Sequence, residues 1–147
     1  MSITNTRPFR SQVRERAQGC CEYCLLPEEA DAISFEVDHI IAEQHGGLTE
    51  LGNLAYTCFE CNRKKGPNLT SIDPQTNEIT ILFNPRAQQW SDHFQLHKDG
   101  TLIGRTAAGR TTIRLLKLND PERVQERVGL ITAQKLNPTS EQASKSE

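Results

Sequence analysis

CEYC at residues 21–24 and CFEC at residues 58–61 share the spacing Cys-x-x-Cys, and 33 residues separate the two pairs. A CxxC turn places two thiolates on one side of a knuckle, and two knuckles can complete the tetrahedral S₄ site that zinc favours. A redox dithiol would explain one such pair, but two pairs of equal spacing favour zinc. The predicted ligands of a structural zinc ion are Cys21, Cys24, Cys58 and Cys61.

The composition predicts a small hydrophobic core that a bound metal would stabilise. The chain has 147 residues, of which 35% are hydrophobic and 5% are aromatic, and a bound metal would add to the stability of so lean a core. The cysteine count of five is odd and the polar start has no apolar signal core, so no disulfide framework is expected. Cys20, the fifth cysteine, is either a partly buried thiol or an alternative ligand.

Charge is distributed unevenly along a chain whose formal net charge is −2. Residues 25–60 contain eight acidic residues and no Lys or Arg, whereas the charges within 61–70 and 101–117 are all basic. This balance excludes a highly basic coat protein but suits a metal site that binds a polyanion, with ordinary solvated surface as the alternative for any one segment. Since no apolar run approaches the ~18 residues of a membrane span, we expect a cytoplasmic protein with no membrane contact.

The first half of the chain predicts helices and strands around the cysteine pairs. Residues 7–18 have apolar positions at four-residue spacing and predict a helix, with Thr6 as its cap and Gly19 at its end. The other predicted elements of this half are a strand over 34–41, a strand over 54–58 and a helix over 59–65.

The second half predicts further short strands and helices. They are a strand over 77–83, a helical turn over 87–93, a hairpin over 94–103, a helix over 105–118, and a helix over 121–135 capped by Asp120. We divide the chain into an N-terminal helix (1–19), a core with the zinc knuckles (20–68), a C-terminal α+β extension (69–136) and a disordered tail (137–147).

Four polar residues lie near the cysteine pairs, and three of them, Asp38, His39 and Asn62, carry groups that can bind a metal or move a proton. Asp38 and His39 end a predicted strand, where Asp offers a hard oxygen ligand and His can act as a general base. Asn53 precedes the second strand, and Asn62, directly after a predicted zinc ligand, can either reach a metal or cap a helix. Because Asp-His pairs are common, their meaning depends on the motifs around them.

Taken in order, the motifs CEYC, VDHI, HGG, NL, CFECN and KKG resemble the HNH nuclease family. The resemblance covers about 46 residues, from Cys21 to Gly66, and its specificity lies in the order and spacing of short elements. The later segments FNPR, WSDHF and GRTTIRLLKLN are similar to the tails of small bacterial HNH proteins and carry no known chemistry.

The resemblance implies an α+β protein with a ββα-metal core, a structural zinc site and a small α/β C-terminal extension. It assigns His39 as the general base and Asn53 as the residue that braces the loop and holds the base in position. It assigns Asp38 and Asn62 as ligands of a catalytic divalent metal. Because Asn stands where some members have His, we expect Mg²⁺ or Mn²⁺ in preference to catalytic zinc.

The activity implied by the resemblance is metal-dependent hydrolysis of DNA phosphodiester bonds, with double-stranded DNA as the expected partner. Arg63, Lys64 and Lys65 lie where they can contact the DNA backbone. The alternative is a non-catalytic zinc-knuckle module that binds nucleic acid or protein, but such a module does not need all four polar residues. A dithiol oxidoreductase would instead require free thiols and no zinc.

His45, Trp90 and a pair of arginines each have two interpretations. His45 is either a loop residue or a phosphate contact. Trp90 either packs in a core or stacks on a base. Arg110 and Arg114, four residues apart on a predicted helix, either extend the DNA contact or lie on a solvated face.

Overall fold

A computed structural model describes residues 5–140 of the chain. Residues 1–4 of the predicted segment 1–19 and residues 141–147 of the predicted tail lie outside this range. The described chain forms two compact units, which we call unit 1 and unit 2. Unit 1 contains the chain up to Leu69 together with Asn84–Gln88, and unit 2 contains Thr70–Phe83 and the chain from Gln89 onward. No helix within residues 5–140 is long and apolar enough to span a membrane.

The predicted α+β class is confirmed. Residues 5–140 contain five α-helices and six strands, which pair as three antiparallel two-stranded sheets. The elements of unit 1 are α1 (Arg10–Arg16), β1 (Glu36–His39), β2 (Leu54–Thr57) and α2 (Phe59–Lys65). Those of unit 2 are β3 (Thr70–Ile72), β4 (Ile79–Ile81), α3 (Trp90–His93), β5 (Phe94–Leu96), β6 (Leu102–Gly104), α4 (Ala107–Leu116) and α5 (Pro121–Thr132).

The N-terminal helix is shorter than the sequence predicts. A 3₁₀ turn at Arg7–Phe9 leads into α1, and the predicted cap, Thr6, makes no side-chain hydrogen bond to the helix. Val13 is the buried residue of α1. The helix ends before Gln18 and Gly19, because both residues have positive φ, 55° and 71°, which a right-handed helix does not accommodate.

β1 and β2 form the antiparallel hairpin at the centre of unit 1. Glu36 lies opposite Thr57 at one end of the hairpin, and His39 lies opposite Leu54 at the other. Every residue of β2 is buried. β1 is shorter than the predicted strand over 34–41 because β2 supplies only four pairing positions.

α2 follows β2 directly and has the bounds that the sequence predicts. Cys58 is its N-cap, and the Cys58 sulfur accepts a hydrogen bond from the Cys61 N–H at 3.3 Å. Gly66 ends the helix with a φ of 52°, a conformation that glycine adopts without strain. α2 therefore starts inside the second cysteine pair, so whatever fixes these cysteines also fixes the helix.

Glu28 ties α1 to β2 within unit 1. Its carboxylate accepts hydrogen bonds from Arg14 Nε at 2.9 Å, from the Tyr56 hydroxyl at 2.6 Å and from the Phe35 N–H at 3.0 Å. Burial acts to raise the pKa of the Glu28 carboxyl, but these donors outweigh it and hold the pKa below its usual value. Glu28 is therefore ionised at neutral pH and fixes the helix against the hairpin.

The elements of unit 2 differ from the prediction mainly at their ends. β3 was not expected, because Thr70–Ile72 is too short and polar to stand out as a strand, and it pairs with β4 inside the predicted strand over 77–83. α4 begins at Ala107 because the Thr106 side chain caps it, accepting the Gly109 N–H at 3.1 Å. Asp120, the expected cap of α5, makes no such hydrogen bond.

Packing within unit 2 bears on the interpretations of Trp90 and of the pair Arg110 and Arg114. The Trp90 ring stacks on Phe94 with centroids 5.0 Å apart, which favours its packing role. Arg110 holds Asp73 in two hydrogen bonds, Nε to Oδ1 at 3.1 Å and a terminal nitrogen to Oδ2 at 2.8 Å. The Arg110 side chain is therefore paired within unit 2, whereas Arg114 is exposed.

Asp73 organises the turn between β3 and β4. Its buried carboxylate also accepts the Gln75 N–H and the Thr76 hydroxyl, both at 3.0 Å. The Arg110 guanidinium is the main reason that the pKa of Asp73 lies well below its usual value. A lowered carboxyl pKa stabilises the fold above the unfolded pKa of about 4, and this contribution is lost as the pH falls.

We predict that Asp73→Asn lowers the melting temperature at pH 7, because the uncharged amide cannot replace the carboxylate in the pair with Arg110. The difference in melting temperature between the variant and the wild type should shrink as the pH falls below about 4. Below that pH the ionised Asp73 carboxylate contributes progressively less to the stability of the wild type. Circular dichroism melts from pH 7 to pH 2 measure both effects. Asp92→Asn, at an exposed acid of the same unit, is the control, and an equal pH profile for wild type and Asp73→Asn would contradict the role of Asp73.

Candidate zinc centre and active site

The four cysteines of the two CxxC pairs form one buried cluster in unit 1. Their sulfur atoms all lie within 4.8 Å of one another, and Cys24 Sγ and Cys58 Sγ are 3.8 Å apart. A tetrahedral site with Zn–S bonds of about 2.3 Å has S···S edges of about 3.8 Å. The cluster therefore has the size and ligand chemistry of a structural zinc site, as predicted for Cys21, Cys24, Cys58 and Cys61.

Burial makes a cation necessary if these cysteines are to be thiolates. Removal from water is the largest cause that raises the pKa of the Cys21 and Cys61 thiols well above the usual value. A bound metal ion reverses this effect, because a coordinating thiol is deprotonated outright. The cluster therefore fits a divalent cation better than it fits an exposed, reactive dithiol.

The first knuckle is attached to β2 by hydrogen bonds that do not involve sulfur. Glu22 donates its N–H to the Tyr56 carbonyl at 2.9 Å and accepts the Tyr56 N–H through its carboxylate at 2.8 Å. Arg86 forms an ion pair with the same carboxylate. The two knuckles thus meet because one is attached to the strand from which the other continues.

Cys20 stands apart from the cluster. It is half-buried, and its sulfur lies 3.6 Å from the Gln18 carbonyl oxygen. Burial raises the pKa of its thiol. Of the two interpretations of this residue, the partly buried thiol fits the structure and the alternative zinc ligand does not.

Three of the four predicted catalytic residues line one open cleft of about 460 Å³ in unit 1. Asp38 and His39 reach it from the end of β1, and Asn62 reaches it from α2. The remaining walls are Ala42, Glu43, Gln44, Gly66 and Pro67. Asn53 is not part of the lining.

Asp38 meets the buried ammonium of Lys65. Lys65 Nζ donates to Asp38 Oδ2 at 3.1 Å and to the His39 carbonyl at 3.2 Å, and the Lys65 side chain is 3% exposed. Burial raises the pKa of the Asp38 carboxyl, and Lys65 opposes that shift. Because its ammonium is enclosed, Lys65 does not fit the predicted DNA contact, and its place in the structure is that of a counterion to Asp38.

His39 lies at the end of β1 with one ring nitrogen bound. His39 Nε2 and Thr49 Oγ1 are 2.9 Å apart. This bond fixes the ring orientation and leaves Nδ1 for another partner. Thr49 was not identified from the sequence, because an isolated threonine in a loop carries no motif signal.

Asn53 is buried and braces the loop that follows β1. Its Oδ1 accepts the Ile41 N–H, and its Nδ2 donates to the carbonyls of Ile41 and Leu48, all at 2.9 Å. The Asn53 main-chain carbonyl also accepts the Ile40 N–H at 2.9 Å. One amide side chain therefore satisfies three main-chain groups of the loop.

Asn62 is the fourth predicted site residue, and its amide is held from outside the cleft. Asn62 Nδ2 donates to Glu36 Oε2 at 2.6 Å. Glu36 was not identified from the sequence, although it lies two residues before Asp38 and therefore on the same face of β1.

The basic residues of α2 divide into two kinds. Arg63 is exposed and stacks on Phe59, with its guanidinium carbon 5.6 Å from the ring centroid. Lys64 forms an ion pair with Glu60 at 2.8 Å.

The His45 ring hydrogen-bonds to the Pro67 carbonyl at 3.1 Å, which favours the loop role of His45.

Residues 21–68 match the family model described as HNH endonuclease. The matched segment spans both cysteine pairs and every predicted catalytic residue, so the resemblance to the HNH family is confirmed over residues 21–68. Neither the search of curated proteins nor the search of solved structures found a match.

We predict that Cys58→Ser releases zinc and unfolds unit 1. Zinc sites of this kind contribute about 10–16 kcal/mol of apparent binding free energy, which matches or exceeds the ~5–15 kcal/mol stability of a typical domain. Elemental analysis should give one zinc per wild-type chain and less in the variant. Circular dichroism should show loss of the part of the signal that unit 1 contributes. Cys20→Ser is the matched control and should keep its zinc, and a Cys58→Ser protein that retains both zinc and fold would contradict the assignment.

We predict that Asn53→Ala destabilises the protein by about 2–4 kcal/mol, because it leaves main-chain groups of Ile41 and Leu48 without partners. Asn53→Asp has nearly the same shape but places a carboxylate against two carbonyls, so it should be at least as harmful. Urea unfolding measures both variants. A harmless Asn53→Asp would show that shape, and not hydrogen bonding, is what the loop requires.

Proposed function

We propose that this protein is a metal-dependent HNH endonuclease that hydrolyses DNA phosphodiester bonds. The observation that carries the proposal is the shared cleft of Asp38, His39 and Asn62 inside the segment that matches the HNH family. The order β1, β2, α2 supports a ββα-metal core, within the proposed division of the chain into a helix (1–19), this core (20–68), an extension (69–136) and a tail (137–147).

Asp38 and Asn62 are the proposed ligands of the catalytic divalent ion. One oxygen of Asp38 is bound to Lys65, and the other remains available to a cation. Oxygen donors of this kind suit Mg²⁺ or Mn²⁺ better than zinc. When bound, the ion would neutralise negative charge that grows on the phosphate and on the leaving oxygen.

His39 is the proposed general base. Thr49 holds Nε2 at 2.9 Å, so Nδ1 would accept the proton of a water molecule as that water attacks phosphorus in line with the 3′ oxygen. The attack forms the new P–O bond and breaks the bond to the 3′ oxygen. The 3′ oxygen takes up a proton from solvent in the open cleft, which leaves a 5′ phosphate and a 3′ hydroxyl. Asn53 acts at a distance from this step, by holding the loop that follows His39.

Double-stranded DNA is the proposed substrate, and Arg63 and Lys64 are its proposed backbone contacts. Both lie on α2 next to Asn62, so a phosphate bound in the cleft would lie close to their charges. Lys65 is left out of this role because its ammonium is paired with Asp38.

A non-catalytic zinc-knuckle module remains the second candidate. The observation that favours it is the buried Asp38–Lys65 ion pair, because a structural pair needs no metal to neutralise the carboxylate. Such a module would bind nucleic acid or protein through the same face and would not cleave it.

We predict that purified wild-type protein nicks supercoiled plasmid in Mg²⁺ or Mn²⁺ and not in EDTA. His39→Ala should lower the rate at least about 100-fold, because it removes the general base. Gel analysis of plasmid topology gives the rates. His97→Ala, at a half-buried histidine of unit 2, should cleave like the wild type. A fully active His39→Ala protein would exclude His39 as the base.

A further inference from the structure

We infer that Glu36 is a positioning residue that turns the side-chain oxygen of Asn62 toward the catalytic metal. The inference rests on the proposed function, because it concerns the same metal site. It goes beyond that proposal because Glu36 lies outside the motif residues and outside the lining of the cleft.

β1 and α2 are joined by two side-chain bonds. Glu36 Oε2 accepts from Asn62 Nδ2 at 2.6 Å, and Asp38 Oδ2 accepts from Lys65 Nζ at 3.1 Å. Glu36 and Asp38 are two residues apart on a strand, so they project from the same face. Asn62 and Lys65 are three residues apart on a helix, so they also share a face. The two bonds therefore fix the helix face that carries Asn62 against the strand that carries Asp38.

The chemistry of the first bond decides which end of the amide faces the cleft. An ionised carboxylate can only accept hydrogen bonds, so the Asn62 atom next to Glu36 must be the NH₂ group. The amide oxygen is then turned away from Glu36. Among the described residues no hydrogen bond is formed to this oxygen, so it is available to a cation in the cleft that Asn62 lines.

An asparagine without this restraint would rotate between two orientations, because its two amide ends have nearly the same shape. Only one of them offers oxygen to a metal. Glu36 is exposed, so the fold does not require it for packing. Its hydrogen bond to Asn62 therefore restrains the orientation of the proposed metal ligand. Removing such a partner of a metal ligand typically lowers metal affinity by about 10–100-fold.

The test measures Mn²⁺ binding to the zinc-loaded full chain by electron paramagnetic resonance of free Mn²⁺, separately from cleavage. We expect Glu36→Ala to weaken Mn²⁺ binding about tenfold or more. Glu36→Gln keeps an oxygen that can accept from Asn62, so it should retain most of the affinity. Glu60→Ala removes the same charge from the exposed, outer side of α2 and should bind like the wild type.

A second pair of variants separates positioning from direct ligation. In an Asn62→Ala background, Glu36→Ala should cause no further loss of Mn²⁺ affinity, because Glu36 acts only through Asn62. A further loss in that background would make Glu36 a ligand itself and overturn the inference. Equal Mn²⁺ affinity of Glu36→Ala and wild type, or a wild type that binds no Mn²⁺, would overturn it as well.

Binding and cleavage together distinguish the two proposals. If Mn²⁺ binding follows this pattern but no form of the protein cuts DNA, the proposed nuclease activity fails and the role of Glu36 stands. If the wild type cuts DNA with a dependence on His39 and Glu36→Ala binds Mn²⁺ normally, the activity stands and the role of Glu36 fails.

Discussion

Four buried sulfur atoms within 4.8 Å of one another are the constraint on which unit 1 depends. Without a cation, burial opposes their ionisation, and as thiols they would offer only weak contacts. With zinc, they join the first knuckle to the junction of β2 and α2. Because Cys61 is followed directly by Asn62, a metal bound by the cysteines would also fix the helix that carries a proposed catalytic ligand.

The second constraint is the geometry of β1. Alternation along the strand directs Glu36 and Asp38 toward α2, where each meets one helix residue. His39 follows on the opposite side of the strand, so it can line the same cleft only because the chain bends after it. The three hydrogen bonds of Asn53 hold that bend. The cysteine cluster and one buried asparagine together hold the segments that bring Asp38, His39 and Asn62 to one cleft.

Much of this arrangement is predictable from the sequence because it rests on local spacing. The equal CxxC pairs predict the cysteine cluster, and Gly66 after a short polar helix predicts the end of α2. Lys65 could not be assigned in this way. A lysine in the run Arg63-Lys64-Lys65 has the pattern of a solvated helix end, and only the packing of α2 on β1 shows that one of the three faces Asp38.

Thr49 and Glu36 were not predicted from the sequence for a related reason. Each acts through one contact with a residue distant in sequence, across 10 and 26 positions, and neither belongs to a motif with a characteristic spacing. β3 was missed because its stability comes from pairing with β4 and not from its own residues. Strand ends likewise depend on how many partners the neighbouring strand supplies.

We expect zinc bound by the four cysteines to organise the cleft of Asp38, His39 and Asn62. Hydrogen–deuterium exchange of the zinc-loaded and zinc-depleted full chain, followed by mass spectrometry, tests this claim. We expect peptides from residues 36–65 to be protected with zinc and to exchange much faster without it. Equal protection of these peptides in both states would contradict the claim, because β1, the braced loop and α2 would then keep their arrangement without the metal.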